Sequence, residues 1–339
     1  MAFTYALLIA PSSNRVYSSA SAALTMAELG VFNETMLNGA LSDTRLTKLG
    51  SVDYVTFSAP ELGSREIAVL SNLSSMLALF ALEGGKLAPI DLARLDRFDS
   101  DLVSIQKYQG KTNENFTKLL VNVTLAASAF SSEFPDRRFS VLDPLCGRGT
   151  TLNQALMYGF DCAGVEIDRK AFDAYGVFIE RWAKDKRLKH QFQRGKVKGC
   201  PKLDLVLGAD KEAYRAGHTI SVSCVNADTL AAGEVLPPRS FDLLVTDAPY
   251  GVQHGSQTTA GSSRKPFDLL RSALPVWREA LRPGGAMGIA WNTFVAKREA
   301  LSSLITNAGL VVQGSASFSS FEHRVDQAIS RDVIVARRS

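Results

Sequence analysis

A chain of 339 residues that is 46% hydrophobic and 21% charged has the composition of a folded protein, enough for one large domain and a smaller one, and disorder is not its default state. Its longest uncharged stretch in the N-terminal half, Ile67 to Leu82, falls short of the ~20 apolar residues that a bilayer span needs, and Met1 to Asn14 lacks the basic start of a secretory signal, so no membrane span and a cytoplasmic location are expected. The net charge is +4, with an acidic excess up to Gly110 and the basic residues concentrated beyond it, while Cys146, Cys162, Cys200 and Cys224 are too scattered for a disulfide framework or a metal site.

In chain order, Tyr5 to Ala10 reads as a strand, residues 19–29 as a helix and residues 54–60 as another strand. A mixed apolar block follows from Ile67 to Leu82. Together these predict a small α+β domain over residues 1–100. From Asn113 to Ser128 the apolar residues Phe116, Leu119, Leu120, Val123 and Leu125 recur at helical spacing, and Pro135 with Asp136 marks a turn. Residues 101–339 then alternate in a parallel-sheet rhythm. Strands are predicted at 139–145, 161–167, 219–227, 241–247 and 285–291, with helices from Thr150, from Arg169 and over 267–281. This alternation implies a doubly wound α/β sheet with helices on both faces. Segments 310–318 and 331–338 follow as a terminal hairpin.

The segment VLDPLCGRGTTL (141–152) runs an apolar strand into Asp143, then into a turn holding Gly147 and Gly149 and a helix start at Thr150. Glycine lets the backbone turn sharply and leaves room for a ligand against the main chain. The spacing is G-x-G-T, and the dinucleotide pattern G-x-G-x-x-G is absent. A strand-end carboxylate suits the ammonium of an amino-acid head, such as that of S-adenosylmethionine, better than a phosphate. At the next strand end GVEID (164–168) presents Glu166, an acceptor for both hydroxyls of a ribose. A third strand ends in VNADTL (225–230), where Asp228 is placed to accept an adenine amino group. One such acid often only caps a helix, but three at successive strand ends indicate a site. The candidate cofactor-binding set is therefore Asp143, Pro144, Cys146, Gly147, Gly149, Thr150, Glu166, Ile167, Ala227 and Asp228, with S-adenosylmethionine as the expected cofactor and no metal.

The fourth strand ends in TDAPYG (246–251). A base amino nitrogen is conjugated with its ring and is a poor nucleophile. A carboxylate and a carbonyl accepting its two hydrogens turn the lone pair out of conjugation, and an aromatic ring stacks the base. Asp247 and the Ala248 carbonyl are the expected acceptors, Pro249 the stiffener and Tyr250 the stacking platform. A base in structured nucleic acid has to be flipped out to reach them. The densest cationic run, Arg181 to Lys202, holds nine cations against Asp185 alone. It has the footprint of a polyanion contact, with Lys184, Lys186, Arg187 and Lys189 as candidate substrate-binding residues. A solvated helix end and loop is the structural alternative.

With LDPLCGRGTTL, GVEID and DAPYG in this order, and TNENFTKLLVNVTLAAS (112–128) before them, residues 105–295 resemble the tRNA guanine-N2 methyltransferases that modify position ten, and their bacterial relatives. The resemblance implies a Rossmann-like class I fold with a seven-stranded sheet, S-adenosylmethionine as methyl donor and an RNA partner. It also implies that Thr112 and Asn113 approach the cofactor and that LRPGG (281–285) is the turn before the fifth strand. Two departures stand out. Ala248 replaces the family's first proline, which is expected to loosen the loop, and the N-terminal segment shows no clear THUMP module. The amino-group logic applies equally to adenine N6 or cytosine N4 of DNA, and a related loop serves a protein side-chain amide or a small molecule.

Overall fold

A computed structural model describes residues 2–11, 15–250 and 266–339, with side chains in the first helix from residue 20 onward. The N-terminal unit runs β1 (Phe3–Ile9), α1 (Arg15–Thr35), β2 (Ser42–Leu49), β3 (Val52–Ala59), α2 (Ser64–Leu70), β4 (Met76–Glu83) and β5 (Lys86–Ile90). Its sheet is antiparallel, in the order β2-β3-β1-β4-β5. The first four strands with their two helices make a split β-α-β of ferredoxin-like type, and β5 extends it as a hairpin with β4. The apolar block from Ile67 divides into the end of α2 and the whole of β4, two elements of different period that a single pattern could not describe.

A short helix α3 (Asp101–Ser104) and the long α4 (Glu114–Ala127) lead into the second sheet. There β6 (Ser140–Asp143), α5 (Thr150–Met157), β7 (Asp161–Glu166) and α6 (Arg169–Asp185) precede a hairpin of β8 (His190–Val197) and β9 (Cys200–Gly208). After α7 (Lys211–Arg215) come β10 (Thr219–Asn226), α8 (Ala232–Val235), β11 (Phe241–Asp247), α9 (Pro266–Ala280) and β12 (Leu281–Asn292). The chain ends with α10 (Arg298–Asn307), β13 (Leu310–Val312), β14 (His323–Arg324) and β15 (Ser330–Arg338).

The order is β13-β15-β12-β11-β6-β7-β10-β9-β8, with β14 beside β15. Strands β6, β7, β10, β11 and β12 are mutually parallel, and β15 lies antiparallel between β12 and β13. This is the Rossmann-like methyltransferase arrangement, doubly wound and closed by an antiparallel pair. Seven strands were expected for this sheet; ten are present. The additions are the edge hairpin β8–β9 and the two-residue β14. The sequence HQFQRGKV of β8 has little apolar alternation because one of its edges faces solvent, which is why it escaped a periodicity reading. Strand β12 also starts at Leu281, so LRPGG belongs to the strand, and the register shifts between Phe241 and Leu243 to accommodate it.

Alternate residues of the central strands point into two cores. Val141, Leu243 and Val245 face α4, α5 and the N-terminal unit, whereas Leu142, Val165 and Leu244 face α8, α9 and α10. Burial on both faces is why these strands read as nearly continuous apolar runs. The first core continues without a break into α1 and the first sheet.

One polar cluster lies in that shared core. Glu28 of α1 accepts the Ser74 N–H with both oxygens (3.1 and 3.0 Å), the Ser74 hydroxyl (2.6 Å) and the Asn122 amide of α4 (2.6 Å). Asn122 also donates to the Asn72 carbonyl (2.8 Å) and accepts from the Tyr158 hydroxyl (2.8 Å). Burial raises the Glu28 carboxyl above its ordinary value and lowers the nearby Lys118 ammonium. The carboxylate accepts two N–H groups and the Ser74 hydroxyl, so Glu28→Leu would leave these donors buried without an acceptor. We expect it to cost about 3 kcal/mol, measured by urea unfolding; a loss below about 1 kcal/mol would mean that the cluster relaxes and does not specify the joint.

Candidate active site at the carboxyl edge of the sheet

Parallel strands with right-handed crossovers put their carboxyl ends on one edge, where ligands bind in this architecture. The register sets Asp143 opposite Gly164, Asn226 opposite Glu166 and Asp247 opposite Ala290. Glu166 and Asp247 therefore end their strands at one level, Asp143 lies two residues lower between them, and Asp228 follows the fourth strand.

Asp143 is buried, and one of its oxygens accepts the Leu145 N–H at 3.1 Å. Burial pushes its carboxyl up to about 7, with the charge of Asp247 adding to the rise. Glu166 accepts the Gly147 N–H (2.7 Å) on one oxygen and the Asp168 N–H (2.6 Å) on the other, and burial raises it too. These two bonds aim the carboxylate while leaving lone pairs for a further donor. Gly147 has φ 52° and open space where a Cβ would point, whereas a Cβ on Gly149, at φ 81°, would run into the Tyr175 ring. One glycine thus leaves the loop open on its ligand side and the other lets the loop close onto α6.

Pro144 and Cys146 are buried beneath the loop. The Cys146 N–H donates to Val165 (3.0 Å), and its sulfur lies 3.6 Å from that of Cys224. Thr150 shares a hydrogen bond with the Tyr108 hydroxyl (2.9 Å), and the Arg148 guanidinium covers the Tyr108 ring at 4.9 Å. Ile167 is 67% exposed, an apolar side chain left in solvent directly after Glu166, where an adenine ring would cover it. The Ala227 N–H donates to the Glu166 carbonyl (3.1 Å), and Asp228 accepts the Leu230 N–H (3.0 Å) at the start of a short helical turn. A buried anion raised by desolvation, an open glycine turn and an uncovered apolar residue fit a cationic amino acid joined to an adenosine.

Next to this cleft, Asp247 accepts the Thr112 hydroxyl at 2.5 Å on one oxygen and the Tyr250 hydroxyl on the other. Arg331 of β15 lies 3.7 Å from the Asp247 carboxylate. It is itself buried, with its guanidinium between two rings, 4.4 Å from Phe116 and 5.0 Å from Tyr250. Burial and the adjacent Asp247 charge hold the Tyr250 phenol well above its usual value. Behind Phe116, at 5.3 Å between rings, lies His323, which burial keeps below the usual imidazole range. The Asn113 side chain caps α4 by accepting from the Asn115 (2.9 Å) and Phe116 (3.2 Å) N–H groups.

Ala248 is buried, and its N–H donates to the Ala290 carbonyl at 2.9 Å. A proline could not make that bond, so alanine here extends the β11–β12 ladder by one rung. Pro249 is exposed beyond the ladder. Gly251, the last residue of the DAPYG segment, lies outside the described residues.

The four cations at the end of α6 are elsewhere. A 17-residue helix spans about 25 Å, and α6 starts beside Glu166 and runs back along the sheet. Lys184, Lys186, Arg187 and Lys189 therefore lie at the opposite edge. Lys184 pairs with Glu180 (2.5 Å), and Lys186 pairs with Asp99 (2.7 Å) and Asp101 (2.6 Å). Arg331, Tyr108, Phe116 and His323 carried no local signal in the sequence; only an arginine opening a strand just before the chain end could have drawn attention.

Residues 117–303, more than half of the chain, match the family described as RMKL-like, methyltransferase domain. No curated protein matches. Similar solved structures include a TehB-like SAM-dependent methyltransferase from Corynebacterium glutamicum, at 16% identity over 62% of this chain and 85% of that one, with a TM-score of 0.35. A putative rRNA methylase from Clostridium thermocellum aligns at 12% identity over 59% and 89%, with a TM-score of 0.37. The N-methyltransferase NodS from Bradyrhizobium japonicum aligns at 12% over 66% and 94%, with a TM-score of 0.39.

The raised Asp143 carboxyl makes ligand binding depend on pH. It is protonated below about 7 in the free protein, whereas pairing with an ammonium requires the ionised form. Affinity for S-adenosylhomocysteine should therefore rise by about tenfold per pH unit up to about pH 7 and level off above it. Calorimetry between pH 5.5 and 7.5 would read this, and Asp143→Asn should flatten the curve; a slope that survives the substitution would assign the proton to another group.

Proposed function

The chain belongs to the family of RMKL-like methyltransferase domains, and on that premise we propose that it moves a methyl group from S-adenosylmethionine to an exocyclic amino group of a nucleic-acid base, guanine N2 of tRNA. The observation that carries the reading is the carboxylate of Asp247 with an aromatic ring three residues on, held at the strand end next to the glycine loop. When bound, S-adenosylmethionine supplies an electrophilic methyl on a sulfonium.

Asp143 would pair with its ammonium, Glu166 with the ribose hydroxyls, and Ile167 and Asp228 with the adenine. The three segments lie side by side in the order β6, β7, β10, so these residues would hold the methionine end of the cofactor on the β6 side, next to β11. There Thr112 holds one Asp247 oxygen in place. The other carries the Tyr250 hydroxyl, which the base amino group displaces. Its hydrogens, accepted by Asp247 and the Ala248 carbonyl, turn the nitrogen lone pair toward the methyl group. Arg331 occupies one face of the Tyr250 ring, leaving the other for stacking. Arg331 is a positioning residue: its charge sits behind both the acceptor and the ring. Residues 1–100, which share a core with α4, would serve substrate recognition.

Incubation with S-adenosylmethionine and total tRNA, followed by digestion and mass spectrometry, should reveal new N2-methylguanosine. N6-methyldeoxyadenosine in DNA treated in parallel, with tRNA unchanged, would move the reading to DNA. Asp247→Ala should lower turnover by 10²–10⁴-fold while leaving the affinity for S-adenosylhomocysteine nearly intact, and Glu166→Ala should do the reverse. Equal losses of cofactor affinity in the two variants would break the division of roles.

A further inference from the structure

The cationic run from Arg181 to Lys202 is divided by the fold between two edges of the sheet. At the lower edge Arg181 pairs with Asp185 (3.5 Å), and Lys184 and Lys186 are paired as described. Midway along the hairpin Arg194 pairs with Asp173 (3.2 Å), and near its top Lys202 pairs with Asp204 (2.9 Å). Lys196 and Lys198 are exposed and form no ion pair with any described residue; the same holds for Lys170 in the first turn of α6 and, at the lower edge, for Arg187 and Lys189.

Register fixes where Lys196 and Lys198 lie. Strand β9 is antiparallel to both β8 and β10, so β8 runs upward with β10 and the turn at Lys198–Gly199 lies at the carboxyl edge. Lys202 is opposite Val225, one residue before Asn226, which is opposite Glu166. The hairpin therefore overhangs the level of Glu166 by roughly two residues, about 7 Å. Five strand spacings of ~4.8 Å separate β8 from β11, placing the tip about 24 Å from Asp247.

The turn itself carries a second observation. Val197 pairs with Cys200 across a two-residue loop in which Lys198 has φ 50° and Gly199 φ 83°. Asn or Asp followed by Gly is the strong choice for such a turn, because a left-handed backbone disfavours other side chains. A lysine is held there against its conformational preference. Protection of an exposed edge strand accounts for Arg194 and Lys196 along β8, but not for Lys198, because a turn has no edge to protect.

We propose that the β8–β9 tip, through Lys196 and Lys198, binds the phosphate backbone of the RNA whose base occupies the Asp247 site. The proposal rests on the nucleic-acid reading above. At ~3.4 Å per phosphate along a stacked strand, 24 Å is a reach of about seven nucleotides, so the contact lies on the flank of the target and adds affinity without reading sequence.

The test is equilibrium binding of total deacylated tRNA to the S-adenosylhomocysteine-loaded protein across a salt series. Lys196→Gln with Lys198→Gln should reduce the slope of log affinity against log salt by about 1.4–1.8, at ~0.7–0.9 for each lost contact, with S-adenosylhomocysteine affinity unchanged. Lys198→Asn alone, which suits the turn, should raise the unfolding midpoint while weakening tRNA binding. An unaltered slope in the double variant, with wild-type binding intact, overturns the hairpin assignment and leaves the methyltransferase reading standing. So does a slope lost only in Lys184→Gln with Arg187→Gln and Lys189→Gln. A wild-type protein without salt-dependent affinity for tRNA, or one that prefers duplex DNA of equal length, overturns RNA as the partner and with it both proposals.

Discussion

Carboxylates crowded on one edge of a sheet are the constraint to which the rest of the molecule answers. Parallel register brings Glu166 and Asp247 to a common level, with Asp143 two residues below and Asp228 just beyond. Like charges so placed disfavour one another's ionisation. The protein relieves the strain unequally. Asp247 has a guanidinium and two hydroxyl donors, Glu166 has backbone donors, and Asp143 has one backbone N–H and the Thr151 and Thr246 hydroxyls in a buried setting. Burial still pushes the Asp143 carboxyl up to about 7, whereas Asp247 keeps a guanidinium at its side.

The same inequality explains why one part of the edge was legible in the sequence and another was not. An acid following an apolar strand and preceding a glycine turn or a helix is a local pattern, repeated with the period of the β-α unit, and so Asp143, Glu166, Asp228 and Asp247 could be read together. Their chain order alone places them on adjacent strand ends once the sheet is parallel. Arg331 has no such signature. It opens β15, a strand that reverses direction and inserts between β12 and β13, and only that topology carries its guanidinium to Asp247. Thr112 was visible only through resemblance, because a lone threonine before a helix is an ordinary cap.

Edges were misread for a related reason. Strand β9 carries Leu203, Leu205 and Leu207, all buried, an alternation that does suggest a strand. Its partner β8 lacks one, since a terminal strand packs only one face and pairs only one side. Periodicity reports burial, and where burial fades at the end of a sheet the signal fades with it. The Ala248 position shows the converse limit. Comparison with a family pattern flags a missing proline as lost stiffness, but the backbone N–H that alanine restores is spent on the Ala290 carbonyl, so rigidity is kept by a different bond.

How the N-terminal unit bears on chemistry follows from α4. That helix begins with Asn113 as cap, immediately after Thr112, and Phe116 in its first turn stacks on Arg331. Two turns later Asn122 is gripped by Glu28 and Asn72 of the N-terminal unit and by Tyr158, which directly follows α5. A helix is stiff over this distance of roughly 13 Å, so fixing Asn122 fixes the position from which Thr112 and Phe116 reach the Asp247–Arg331 pair. The buried Glu28 cluster therefore stands behind the geometry of the acceptor as well as behind the joint between the two sheets. A buried polar network that specifies one arrangement, at a cost in desolvation, is the device by which a small unit can be docked in a single orientation on a larger one. Here that orientation sets a hydroxyl against a carboxylate.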